Sequence, residues 1–133
     1  MKLQISTDYA VRILQCLHSR NGKSIPATEI AESIGITYPF FIKIANQLRK
    51  RGLLRSVQGR NGGYLLGKPA CEISLYEVFL CIEGELQFSR CLTKGAPCQQ
   101  GEMRNCKLRV FLYDLQGKVI EEMSERSIAD LSS

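Results

Sequence analysis

Residues 25–69 read IPATEIAESIGITYPFFIKIANQLRKRGLLRSVQGRNGGYLLGKP, and their punctuation decides the fold. Ile25-Pro26 opens a short helix whose Ala27, Ile30, Ala31 and Ile34 share one face, and Gly35 stops it. Thr37 caps a second helix with Pro39 in its first turn. Phe41, Ile44, Ala45 and Leu48 carry the helical stripe down to Arg51-Gly52. Helix, glycine turn, helix is the pattern of a helix-turn-helix. Residues 53–57 and 64–66 are strand-like, joined by Gln58-Gly59-Arg60-Asn61-Gly62-Gly63. The Asn-Gly and Gly-Gly pairs signal a hairpin, because its turn needs positive φ. A helix-turn-helix followed directly by a basic-tipped hairpin reads as a winged helix.

Outward from this module, Asp8 is expected to N-cap a helix running to about His18, with Ala10, Ile13, Leu14 and Leu17 facing a core. Lys68-Pro69-Ala70 closes the module. Ser74 then caps a helix over residues 75–82, with Glu77 as its capping-box partner and Val78, Phe79 and Ile82 as apolar positions. A long helix begins at Lys107. Its stripe of Leu108, Phe111, Leu112, Leu115, Val119 and Met123 is longer than a small domain needs for its own core, which points to a dimerisation helix. Gly117 weakens that helix or admits a partner closely. Residues 127–131 read as a terminal turn that docks Ile128 and Leu131. The expected architecture is mainly α with a small β-hairpin wing. Residues 1–83 form the winged helix-turn-helix, 84–106 a cysteine loop, and 107–133 the dimerisation helix with its terminal turn.

The chain has 133 residues and 44 % apolar content, which suits one compact globular unit. No apolar run approaches the ~20 residues of a membrane span, and the opening MKLQISTDYAVR lacks the apolar core of a signal peptide. A cytoplasmic protein is expected, with no membrane partner. The net charge is +5, and its placement matters more than its size. Residues 43–60 hold Lys43, Arg49, Lys50, Arg51, Arg55 and Arg60 and no acid; residues 72–85 hold Glu72, Glu77, Glu83 and Glu85 and no base. Such segregation suits one face meeting phosphates. No nucleophile–base pair, phosphate loop or partnered histidine is evident, so an enzyme with a small-molecule substrate is not expected.

Three of the six cysteines, Cys91, Cys98 and Cys106, lie in CLTKGAPCQQGEMRNC at C-x6-C-x7-C spacing, broken by Gly95, Pro97 and Gly101. Thiolates select iron–sulfur clusters, zinc or copper(I). A closed site normally wants four protein ligands, so three imply a fourth from elsewhere or a weak corner suited to sensing. Free thiols or a disulfide in this loop are the plain alternative. Cys16, Cys71 and Cys81 read as small core fillers.

Together, KLQISTDYAVRIL, the 25–69 stretch, EISLYEVFLCIEGE, the triple-cysteine loop and VIEEMSERSIADL resemble the bacterial winged-helix repressors of the IscR, NsrR and RirA type. The resemblance implies a homodimer that binds palindromic operator DNA and carries an iron–sulfur cluster whose state changes DNA affinity. It makes 37–50 the recognition helix, with Thr28, Thr37, Tyr38, Pro39, Phe40 and Lys43 toward bases or backbone, although the family's small polar residues and Glu are replaced here by bulky Tyr38-Pro39-Phe40. Gln58, Arg60, Asn61 and Gly62 would form the wing contact, with Arg60 foremost. Arg49, Lys50, Arg51 and Arg55 would meet phosphates or solvent. Cys91, Cys98 and Cys106 match the family's cluster cysteines. The histidine that IscR-like members place after the third cysteine is missing, since Lys107-Leu108-Arg109 stands there. Asp8 falls where NsrR-like members supply an aspartate from the other subunit. That set favours a 4Fe–4S over a 2Fe–2S cluster. The alternatives are a thiol-disulfide or zinc-dependent winged-helix repressor and, from another class, an iron–sulfur protein that binds no DNA.

Overall fold

A computed structural model describes residues 2–92 and 106–133. Helix α1 spans Ile5–Ser19 and buries Ala10, Ile13, Leu14 and Leu17, the expected stripe. Asp8 is not its cap. The helix starts earlier, Asp8 lies in the first turn, and its carboxylate pairs with Arg12 at 3.2 Å. Gln4 occupies the N-cap position without a side-chain bond of its own. The acceptor comes instead from 76 positions away: Glu83 Oε2 takes the Thr7 hydroxyl at 2.5 Å and the Gln4 N–H at 3.2 Å. A carboxylate there satisfies an orphan donor and complements the positive end of the helix.

Helix α2, Ala27–Ile34, ends at Gly35, whose φ of 75° is the left-handed stop that glycine adopts without strain. Helix α3, Tyr38–Lys50, is capped by the Thr37 side chain, which accepts from the Phe40 N–H at 3.3 Å. Its buried face is Phe41, Ile44, Ala45 and Leu48. Phe41 is fully buried and meets Tyr64 edge-on, with ring centroids 5.4 Å apart. That contact fastens α3 to the hairpin and adds roughly 1 kcal/mol beyond area burial.

Strands β1, Leu54–Val57, and β2, Gly63–Leu66, pair antiparallel from Leu54↔Leu66 to Val57↔Gly63. The turn is not the expected Asn-Gly type. Positive φ falls on Gly59 and Gly63, and Gly62 N–H closes the loop on Gly59 O at 3.0 Å. A loop of this length spreads the reversal over residues 58–62, so Asn61-Gly62 need not bend alone. A single-residue bridge is added at the edge of the hairpin. Ile25 and Tyr64 exchange backbone hydrogen bonds of 3.1 and 2.9 Å, which seats the hairpin on the α1–α2 connection.

Helix α4, Leu75–Glu83, carries the complete Ser74/Glu77 capping box and packs on α1 and α3. Helix α5, Lys107–Glu125, packs on α4 and has no fully buried residue. Past it the chain returns to the body. Leu75 N–H donates to Arg126 O at 2.8 Å, and Ile128 N–H to Ile73 O at 2.8 Å. Ile128 is fully buried with the α1–α4 core, whereas Leu131, expected to dock beside it, is 40 % exposed. Asp130 and Ser127 bond reciprocally and turn the chain outward before Leu131 can pack. Cys71, expected in the core, is exposed in a 3-10 turn, Ala70–Glu72.

Candidate functional site

The α3 N-terminus and the hairpin loop project from the body. Thr28, Thr37, Tyr38, Pro39, Lys43, Arg49, Lys50, Arg55, Gln58, Arg60 and Asn61 are all exposed. Phe40 is different. It is half-buried, with its ring edge-on to Tyr9 at 5.7 Å, and so packs α3 against the start of α1. Gly62 acts through its backbone, since a Cβ there would fall 2.5 Å from Val57 O and 2.7 Å from Gly59 O.

The cations of this surface stand outside the ion pairs of the described residues. Five ion pairs hold Arg12, Arg20, Lys68, Lys118 and Arg126 to carboxylates. Lys43, Arg49, Lys50, Arg55 and Arg60 enter none of them among the described residues. Cations left free along a helix and an adjoining loop are available to phosphates, and α3 needs no cap at its exposed start beyond Thr37. Behind it, Cys81 Sγ donates to Gln47 O at 3.1 Å. Burial pushes the Cys81 thiol above its usual range, and Arg51 only partly offsets this.

The second region is a cysteine corner where α4 gives way to α5. Cys91 sits in the 3-10 turn Arg90–Leu92 and Cys106 at the N-cap of α5. Arg109 joins them. Its backbone N–H donates to Cys106 Sγ at 3.4 Å, and its Nε donates to Cys91 O at 3.4 Å. Ser89 Oγ lies 3.1 Å from Cys91 Sγ, and Gln116 Oε1 accepts from Phe88 N–H at 3.0 Å, binding the segment before the cysteines to α5. Cys98, the third expected ligand, lies outside the described residues. Among the described residues no three His, Cys, Asp or Glu side chains gather as a metal site, and Asp8 stands apart on α1, held by Arg12. Arg109, Gln116 and Glu83 were missed from the sequence. Their roles depend on partners 18 to 79 positions away, and no local pattern marks them.

On α5, Leu108 and Phe111 are 64 % and 61 % exposed, Leu115 is exposed to a lesser degree, and Leu112, Val119 and Met123 are half-buried. Val110 and Tyr113 are also exposed, on a shoulder the expected stripe did not include.

Three helices, a wing and a free cationic surface define a winged-helix DNA-binding protein. The chain belongs to the Rrf2 family, described as iron-dependent transcriptional regulators, whose pattern matches residues 3–133. That family is one of transcriptional regulators, normally without enzymatic activity. The chain is 34 % identical over 133 residues to the HTH-type transcriptional regulator IscR of Photorhabdus laumondii, a match covering 98 % of this chain and 79 % of that protein. Among solved structures it is similar to CymR, the global cysteine regulator of B. subtilis, with a TM-score of 0.80 at 20 % identity over 98 % of this chain and 95 % of that one. It is also similar to the oxidized form of Staphylococcus aureus CymR, with a TM-score of 0.74 at 25 % identity and the same coverage. No described helix is long and apolar enough to cross a membrane.

Proposed function

We propose that this regulator is a cytoplasmic homodimeric repressor whose grip on operator DNA is set by an iron–sulfur cluster held by Cys91, Cys98 and Cys106. The observation that carries the reading is the Arg109 bridge, which draws Cys91 and Cys106 to one end of α5. The donor set suits the group: part-buried thiols at a helix N-terminus, where N–H donors favour anionic sulfur, are soft ligands for iron. Asp8, free of the cysteine corner of its own chain, is the fourth ligand supplied to the partner, and with no histidine after Cys106 the cluster is of the 4Fe–4S type. When bound, such a group supplies a redox- and gas-reactive centre that crosslinks the corner.

The chain's own residues do the rest. Residues 1–83 read DNA through Thr28, Thr37, Tyr38, Pro39 and Lys43, with Phe40 seating α3 on α1 and Arg49, Lys50, Arg55 and the Gln58, Arg60, Asn61 and Gly62 wing on the backbone. Residues 84–106 form the sensing loop, and α5 pairs two copies through Leu108, Phe111, Leu112, Leu115, Val119 and Met123. Half-sites lie about one helical turn apart, so the spacing of the two α3 helices governs affinity. Gln116 and Arg109 tie the sensing loop to the dimer helix, and Glu83 ties the base of that loop to α1.

A thiol switch without a cluster is the second reading. It is favoured by the likeness to the oxidized CymR. Anaerobic purification with visible absorbance, iron and acid-labile sulfide analysis separates the two. Broad visible absorbance with about four irons per chain, lost in Cys91→Ser and Cys106→Ser, supports the cluster. A protein that stays colourless after anaerobic reconstitution refutes it and leaves the thiol or zinc form.

A further inference from the structure

We propose that Lys23 and Arg60 together clamp one DNA backbone phosphate at the base of the wing, making Lys23 a DNA contact that lies outside both the helix-turn-helix and the hairpin. The inference rests on the DNA-binding reading of this surface and adds a residue to it.

A cleft of about 380 Å³ separates the α1–α2 connection from the hairpin loop, lined by Lys23, Ser24, Pro26, Arg60, Asn61 and Gly62. Its two walls are locked together. Ser24 Oγ donates to Asn61 O at 2.6 Å. One step further along, Ile25 and Tyr64 exchange backbone bonds, and a Cβ on Gly63 would fall 2.2 Å from Ile25 O, so the backbones are pressed together there. The cleft is therefore held by the fold and does not depend on where a mobile loop happens to lie. Lys23 and Arg60 are both exposed, and neither enters an ion pair among the described residues. Two uncompensated cations beside one cleft match a singly charged oxyanion.

The occupant we assign is a phosphate of the duplex rather than free phosphate. The cleft opens beside the loop that carries Arg60, on the same molecule whose α3 cations are likewise free. A phosphate contact carries no sequence information, so the test needs no operator.

The experiment measures binding of the full-length protein to a ~30-bp mixed-sequence duplex by fluorescence anisotropy across a salt series, for wild type, Lys23→Gln, Arg60→Gln, the double variant and Lys118→Gln as a control on α5. The expected result is that Lys23→Gln and Arg60→Gln each weaken binding about fivefold and flatten the salt slope by up to about one unit. The double variant should be weaker than either by much less than the product of the two, because both side chains serve one phosphate. Lys118→Gln should bind as wild type does, and all variants should melt at the same temperature.

Wild-type affinity in Lys23→Gln with weakened Arg60→Gln would remove Lys23 from the interface and overturn the proposal while leaving DNA binding intact. Multiplicative losses would assign the two cations to separate phosphates and overturn the clamp. Inorganic phosphate that competes with wild type but not with Lys23→Gln, at matched ionic strength, would make this a free-anion site instead. Failure of the wild-type protein to bind the duplex at all would defeat the DNA-binding reading itself.

Discussion

Replacing Glu83 with alanine should destabilise the domain by about 2 kcal/mol, through a helix that Glu83 does not belong to. The Thr7 hydroxyl has no measurable exposure, and its acceptor is Glu83 Oε2. A buried hydroxyl left without a partner costs about 1–3 kcal/mol. The Gln4 N–H, the other donor to Glu83, is solvent-accessible and would turn to water at little cost. Loss of a negative group at the α1 N-terminus adds about 0.5 kcal/mol at low salt, less as ionic strength rises. Equilibrium urea unfolding of the metal-free protein at neutral pH measures the sum. A second variant isolates the mechanism. Thr7→Val removes the donor while keeping the shape, so Glu83→Ala in the Thr7→Val background should cost about 1 kcal/mol or less. If Glu83→Ala alone lies within about 0.5 kcal/mol of wild type, or costs the same in both backgrounds, then the long-range cap is not what holds the start of α1.

Other expectations follow from single contacts. Gly63→Ala should lower stability by about 2 kcal/mol and loosen the wing, since a Cβ at φ 153° would meet the Ile25 carbonyl; loss of amide protection at Tyr64 is the measurement, and retained protection would contradict it. In metal-free reduced protein at pH 8, iodoacetamide should label exposed Cys71 well before Cys81, whose thiol is pushed up by burial, because only the thiolate reacts; peptide mass mapping over time reads the order, and equal rates would refute it. Asp130 is held below the usual carboxylate range, first by the Ser127 backbone N–H and then by the Ser127 side chain. A folded value below the unfolded one means that its support of the terminal turn is fully present above the ordinary carboxylate value and is lost as pH falls through the lowered one. The Ser127 amide shift should follow that titration and lose it in Asp130→Asn.

The legible parts of this chain were those whose signals are local. Gly35, Thr37 and the Ser74/Glu77 box each act within four residues, and the stripes of α1 and α3 follow from one helical period, so their places and buried faces could be read directly. The hairpin was legible as a hairpin but not in its turn, because Asn61-Gly62 carries the composition of a tight turn while the longer loop puts positive φ on Gly59 and Gly63. Asp8 misled for a related reason. It is a good capping residue near a helix start, and the true acceptor arrives from α4, which no window of sequence contains. Ile128 in the core and Ile25 on β2 are likewise long-range facts. At the site, the unpaired cations of α3 and the wing were visible as a charge run, whereas Arg109 looked like one more base until its two bonds set it between the cysteines.

The return of the chain after α5 has a mechanical consequence. The helix is about 28 Å long at 1.5 Å per residue, and its far end is nailed to the body by the backbone bonds of Arg126 and Ile128. Its near end, at Cys106, is held through the side chain of Arg109. A rod fixed at one end and lightly held at the other is a lever, and a tilt of about 5° about the Arg126 pivot moves the Cys106 tip by about 2.5 Å. The cysteines thus sit where the lever arm is longest, so chemistry that shifts them by little more than a bond length swings the whole exposed face of the helix through an angle that a partner packed along it would feel over its full length.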